Sequence, residues 1–159
     1  VPGSPPRARL ASPDEPGERL LVTGVISNAC QTPATGHVLD VWGADETGAY
    51  HSVTRFYRLR GHVTTDERGF FAFETIIPGR YAEGDGFRPS HLHAKVFAPN
   101  GQTVLTTQLY FEGDPYLYPN DSCPITTCKS NDPDRILATN RAKWGEQIGE
   151  WAQVHIALS

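Results

Sequence analysis

The feature that most constrains this chain is how often it must turn. Its 159 residues include 15 glycines and 13 prolines, well above the ~12% combined share of an average chain. Between these breakers lie short apolar runs at 20–26, 37–42, 69–75, 91–97, 104–111 and 152–158. Most are rich in β-branched or aromatic residues and are bounded by Gly, Pro, Asn or Asp, as strands are. Regular short strands of this kind predict an all-β fold: a β-sandwich of short, mainly antiparallel strands with little helix. A single helix is expected to open at Asp132-Pro133-Asp134-Arg135, with an acidic first turn and an early proline. Ile136, Leu137, Trp144 and Ile148 would form its weak apolar face, and Gly145 and Gly149 weaken its later part.

The length suits one domain with a real core. A net charge of −4 without a basic stripe argues against nucleic acid as a partner, and no apolar run approaches the ~20 residues of a membrane span. Val1 is not followed by a charged start and an apolar stretch, so no signal peptide is expected within the sequence. Residues 1–19 carry Pro2, Pro5, Pro6, Pro13 and Pro16 with almost no apolar periodicity, and read as a proline-rich linker or arm. Residues 20–159 read as one folded domain. Such an arm would fit a domain from a larger, secreted protein; the other destination is cytoplasmic. Cys123 and Cys128 flank Pro124-Ile125-Thr126-Thr127 in a polar loop. A local disulfide there would favour an oxidising compartment. The alternative is three unpaired, mostly buried thiols, Cys30 included.

The chemistry centres on Tyr50, Tyr81, His91 and His93. Residues two apart on a strand point to one face, so both imidazoles of His91-Leu92-His93 can reach one ion. Tyr50 follows Thr47-Gly48-Ala49 and Tyr81 follows Pro78-Gly79-Arg80. Both come just after turn signals, where a side chain can be aimed into a site. A phenol ionises only near pH ~10 in water, and a highly charged cation favours its phenolate. Two imidazoles and two phenolates suit Fe(III). Zinc prefers Cys, His and carboxylates, and ferrous oxygenases usually use two His and one carboxylate. No His-x-Asp or His-x-Glu occurs in the sequence.

These residues sit in ordered blocks. Val38-Leu39-Asp40-Val41-Trp42 and Gly48-Ala49-Tyr50 come first, then Leu59-Arg60-Gly61 and Thr65-Asp66-Glu67-Arg68-Gly69. The stretch 73–81 ends in Ile77-Pro78-Gly79-Arg80-Tyr81, and Arg88-Pro89-Ser90-His91-Leu92-His93 follows. The last is Thr107-Gln108-Leu109-Tyr110-Phe111-Glu112-Gly113-Asp114-Pro115. Over residues 20–158 the chain resembles the intradiol ring-cleavage dioxygenases, the family of catechol 1,2-dioxygenase and protocatechuate 3,4-dioxygenase. The resemblance implies a mononuclear non-haem Fe(III) held by Tyr50, Tyr81, His91 and His93, with Tyr81 and His93 axial. It implies O2-dependent cleavage of catechol-type rings between the two hydroxylated carbons, giving cis,cis-muconate-type products. By the same likeness Tyr81 would take a substrate proton, Arg88 would stabilise negative charge on the ring, and Gln108 would orient its neighbours. The long N-terminal helical region that serves dimerisation in catechol 1,2-dioxygenases has no counterpart in the sequence, so a monomer or a fused module is expected. The compact segment from Tyr50 to Tyr81 suggests an open, tolerant pocket.

Other readings remain. The second is a non-catalytic β-sandwich binding module in which the tyrosines and histidines pack or touch a ligand. The third is a zinc hydrolase or hydratase built on the His pair, which needs a third His or a carboxylate. Trp42 reads as core. His37, His51, His62 and His155 read as ordinary strand or surface residues, and Glu83 and Asp85 as a solvated loop or a pocket edge.

Overall fold

Period-two alternation decides which side of each strand is buried. In the run His91-Leu92-His93-Ala94-Lys95-Val96, the residues Leu92, Ala94 and Val96 go into the core. His91, His93 and Lys95 therefore face the other way. The structure, a computed structural model, describes residues 5–51 and 58–159. Its strands are β1 (Arg7–Arg9), β2 (Arg19–Ser27), β3 (Val38–Gly43), β4 (Arg60–Thr64), β5 (Phe70–Ile76) and β6 (Tyr81–Glu83). They continue with β7 (Gly86–Arg88), β8 (His91–Phe97), β9 (Thr103–Phe111), β10 (Ile136–Leu137), β11 (Thr139–Trp144) and β12 (Gln147–Ala157). One sheet runs β1-β5-β2-β12-β11 and the other β10-β9-β8-β3-β4, with β6 and β7 forming a separate hairpin. The fold is the all-β sandwich the turn spacing predicts. Most pairings are antiparallel, but β2 and β12 run parallel from Leu20↔Glu150 to Ser27↔Ala157. Between the sheets lie Leu20, Val22 and Ile26 of β2, Phe71 and Phe73 of β5, and Leu39 and Val41 of β3, all essentially buried.

Two expectations are corrected. Residues 5–19 are not an unpacked arm. β1 pairs parallel with Ala72, Phe73 and Glu74, Leu10 and Ala11 are buried, and Pro5 and Pro6 accept from the backbone N–H of Thr64 and Ala72. Proline lacks a donor but keeps its carbonyl, so a proline-rich segment can still close a sheet edge that has free N–H groups. The helix expected from Asp132 stops after a single 3-10 turn, Pro133–Arg135. Asp132 does cap it, accepting from the Asp134 N–H, but Ile136 and Leu137 then join β9 as a parallel strand. Trp144 and Ile148 lie on the β11–β12 hairpin, which turns at Gly145 with φ +57°. Gly149 lies so close to the Arg19 carbonyl that a Cβ there would clash with it. The glycines that weaken a helix thus permit a tight strand pairing. The only described α-helical segment is the short α1 (Ile125–Cys128). It lies in the loop that the Cys123–Cys128 disulfide closes; Cys30 is free and exposed.

Register sets up the functional face. Across the outer side of the second sheet, Arg60 lies opposite Trp42, Trp42 opposite His93, and His93 opposite Gln108. Two residues along β8, His91 lies opposite Tyr110. The long excursion between β9 and β10 covers this end, leaving Tyr110 fully buried although it points away from the sandwich core. No described helix is long and apolar enough to cross a membrane.

Candidate metal centre

Two loops bring the tyrosines to the histidine face. The first is a tight turn around Asp45, whose Oδ1 accepts from the Thr47 and Ala49 N–H groups and the Thr47 hydroxyl. Its Oδ2 meets His51 Nε2 at 2.8 Å. Burial opposes the charge on Asp45, but the bonds from Thr47, His51 and Ala49 outweigh it and hold the carboxyl well below the usual range. Gly48 turns the chain with φ +89°, where a Cβ would strike the Arg80 carbonyl. The second loop, Pro78-Gly79-Arg80, docks on the first: Gly79 N–H donates to the Asp45 carbonyl at 2.8 Å. A Cβ on Gly79 would collide with the Glu46 carbonyl. The two tyrosine-bearing loops are thus interlocked through their glycines.

The result is a cluster of four donor groups. Tyr50 Oη stands 3.3 Å from His91 Nε2 and 3.0 Å from His93 Nε2, and Tyr81 Oη stands 3.4 Å from His91 Nε2. His91 is 2% exposed, whereas Tyr50 is 37% exposed, so the cluster sits at the inner end of a surface opening. His91 Nδ1 lies 2.7 Å from the Pro89 carbonyl. A carbonyl can only accept, so Nδ1 carries the proton and the bare Nε2 faces the phenols. Burial pushes His91 down to about 4. Burial, then His91 and Arg88, push His93 down to about 3. Both imidazoles are therefore neutral near pH 7, with lone pairs available. Burial and the neighbouring Tyr81 raise the Tyr50 phenol above its ordinary value, so without a cation it stays protonated.

This donor set fits a metal ion. Donors at ~2.1 Å from one ion lie about 3.0 Å apart at right angles and about 3.4 Å apart in a tetrahedron, the range seen between these atoms. Among the described residues no group of three or more His, Cys, Asp or Glu side chains could hold an ion. The third ligand that a zinc hydrolase would need is not placed there, and the phenols are the anionic donors at hand. His51 is engaged by Asp45 and His155 by Ser27, outside the cluster.

Arg88 arrives by hairpin pairing, since β6 and β7 set Tyr81 opposite Arg88. The Arg88 Nη1 lies 3.4 Å from Tyr81 Oη and its Nη2 donates to Gln108 Oε1 at 2.7 Å. Burial opposes its charge, but Asp121 more than offsets this and keeps it protonated. Glu83 is exposed, with Oε2 3.9 Å from Arg88 Nε, and Asp85 lies exposed at the hairpin turn. Trp42 is not core: it stacks on His93 and takes the Arg60 guanidinium on its ring. A cleft of about 360 Å³ opens beside the cluster, lined by Trp42, Tyr50, His51, Arg58, Arg60 and His93 among others. That volume is in the range of small-ligand sites. Part of the segment expected to leave the pocket open, residues 52–57, lies outside the described residues. Sequence reasoning missed Asp45 and Asp121. Asp45 sits in a turn-rich stretch that could have flagged it as a turn-former, whereas Asp121 lies in a polar loop with nothing local to mark it as buried.

A family model described as Dioxygenase matches residues 4–147. Relatives of this kind include the chlorocatechol 1,2-dioxygenase of Rhodococcus opacus, 38% identical over 69% of this chain and 49% of that protein. The protocatechuate 3,4-dioxygenase beta chain of Burkholderia cepacia is 35% identical over 64% of this chain and 48% of that one. This chain belongs to the intradiol dioxygenase family. Among solved structures, the fold recurs in the dioxygenase domain of a dioxygenase carbohydrate-binding protein fusion from Streptomyces sp. SirexAA-E. That domain is 36% identical with a TM-score of 0.74, covering 99% of this chain and 90% of its own. The 3-chlorocatechol 1,2-dioxygenase of Rhodococcus opacus superposes with a TM-score of 0.76 at 25% identity, over 99% of this chain and 68% of that one. The chain spans about half the length of the curated relatives it matches.

Proposed function

We propose that this intradiol dioxygenase depends on Fe(III) and uses O2 to open catechol-type rings between the two hydroxylated carbons, giving cis,cis-muconate-type products. One observation carries the reading: two phenol oxygens and two neutral imidazole nitrogens converge within 3.0–3.4 Å contacts. Tyr50, Tyr81, His91 and His93 would hold the ion, because two phenolates stabilise the ferric state by charge neutralisation. When bound, the ion supplies Lewis acidity and a template for the diol oxygens and O2.

The chain's own side chains do the rest. His91, fixed by its bond to Pro89, presents a bare Nε2 atom, and His93, held flat by Trp42, is likewise neutral, so neither needs to shed a proton near pH 7. Tyr81 Oη takes a proton from the diol. Arg88, beside that oxygen, supplies a fixed positive charge where negative charge builds on the ring. Gln108 holds the guanidinium through Nη2. A non-catalytic binding module would leave this donor cluster without a purpose. We also infer a secreted setting, which the Cys123–Cys128 disulfide supports.

The test is a visible spectrum of the Fe(III)-loaded protein before and after anaerobic catechol. A phenolate-to-iron band that shifts with catechol and returns once oxygen is admitted, with ring-opened product by mass spectrometry, is the expected result. Protein that stays colourless after Fe(III) loading would overturn the reading.

A further inference from the structure

Beyond the four donors lies a buried ion pair, and the mechanism above uses only its cation, Arg88, and leaves its carboxylate, Asp121, without a role. Arg88 is 3% exposed, and its partner Asp121 has a side chain only 1% exposed. Arg88 Nε donates to Asp121 Oδ1 at 2.8 Å, and the same oxygen accepts from the Cys123 N–H at 2.9 Å. The loop carrying Asp121 is fastened at both ends. At one end the Ser122 N–H donates to the Phe87 carbonyl, one residue from Arg88. At the other, the Cys128 carbonyl lies 2.6 Å from Tyr110 Oη, which is also 2.8 Å from Gln108 Oε1. The Cys123–Cys128 disulfide joins the two ends.

The guanidinium has a second carboxylate in reach, the exposed Glu83 at 3.9 Å. Asp121 and Glu83 thus compete for one cation. A buried carboxylate at 2.8 Å wins over a solvated one at 3.9 Å, because charge attraction is stronger where water is excluded. The choice matters: held by Asp121, Arg88 keeps Nη1 on Tyr81 and Nη2 on Gln108.

We propose that Asp121 is a positioning residue for the reaction: it holds Arg88 against Tyr81 and Gln108, and the Cys123–Cys128 disulfide holds Asp121 in place. This rests on the dioxygenase reading of the site. Asp121 acts through Arg88 on charge that develops in the transition state, so its loss lowers kcat more than it changes KM.

The experiment compares wild type, Asp121→Asn and the double variant Cys123→Ser/Cys128→Ser. The serine pair loosens the loop without adding a reductant that would also reduce the iron. Three readouts are taken: kcat and KM for catechol, the visible band of the Fe(III)-loaded protein without substrate, and hydrogen exchange at the Arg88 Nε–H by NMR on metal-free protein. Both variants are expected to lower kcat about 10-fold or more, to leave KM within about twofold, to shift the band, and to speed Arg88 Nε–H exchange. If Asp121→Asn fails to fold, the serine pair makes the same comparison. A folded variant with wild-type kcat and an equally protected Arg88 Nε–H overturns the proposal. Wild-type protein with neither band nor turnover would instead overturn the dioxygenase reading, while the Arg88 exchange would still show whether Asp121 holds the guanidinium.

Discussion

Trp42 lies flat against His93, with ring centroids 4.9 Å apart and planes 6° from parallel. The two residues are direct cross-strand partners in β3 and β8. Arg60 covers the tryptophan's ring at 4.8 Å, so the imidazole is backed by a braced wall. Supporting contacts of this kind fix the ring orientation of a ligand. Trp42→Ala is expected to weaken Fe(III) binding about 10-fold or more, while Trp42→Phe retains most of it. Competition with a ferric chelator measures the difference.

The interlocked glycines make a separate prediction about stability. Gly48→Ala and Gly79→Ala each drive a methyl group into the backbone of the facing loop. Each is expected to cost about 1–3 kcal/mol, as overpacking does. Both should also reduce iron uptake, because the two loops carry Tyr50 and Tyr81. Thermal melts together with iron stoichiometry check this; a melt unchanged in both variants would contradict the interlock.

Asp45 gives the fold a pH dependence with a definite sign. Its folded-state carboxyl is held below the ordinary value, since the bonds from Thr47, His51 and Ala49 outweigh the opposing effect of burial. A depressed carboxylate stabilises the fold above its unfolded pKa of ~3.9, and that stability is lost as pH falls toward the folded value. Wild type should therefore exceed Asp45→Asn by about 1–3 kcal/mol near pH 7, with the gap narrowing below pH ~4. Denaturant melts of both proteins across pH 3–7 would show it, and a constant gap would refute it.

Removing a donor oxygen should be more severe than removing a supporting contact. Tyr50→Phe and Tyr81→Phe each leave one phenol in the cluster. Each is expected to weaken Fe(III) binding by more than the ~10–100-fold typical of a lost supporting partner, and to diminish the visible band. Iron analysis after dialysis against a chelator tests this. Full retention of iron by both variants would rule the phenols out as ligands.

Much of this could be read locally. The strand at 91–97 appears with those bounds, because alternation of small or apolar residues with polar ones needs only neighbouring residues to show it. The tyrosines were legible for a similar reason: each follows a turn marked by glycine. The structure brings both phenols to the histidine face, as that reading requires. Trp42 was misread as core, because an aromatic in an apolar run looks the same from sequence whichever side it faces. The segment after Asp132 misled in another way. Its capping signal is real and does start a turn, but pairing of Ile136 and Leu137 with β9 overrode its extension into a helix.

The sequence by itself determined that the chain is built of strands, that His91 and His93 share one face, and that Tyr50 and Tyr81 leave turns able to aim them. These are consequences of backbone geometry over a few residues. Tertiary structure decided what stands next to what. The row Arg60, Trp42, His93 and Gln108 exists only because four strands pair in one register. The burial of Asp121 against Arg88 exists only because a loop 33 residues further along the chain folds back over the site. Register and long-range loop closure are set by how the whole sandwich buries its apolar faces, and no local stretch of sequence carries that information.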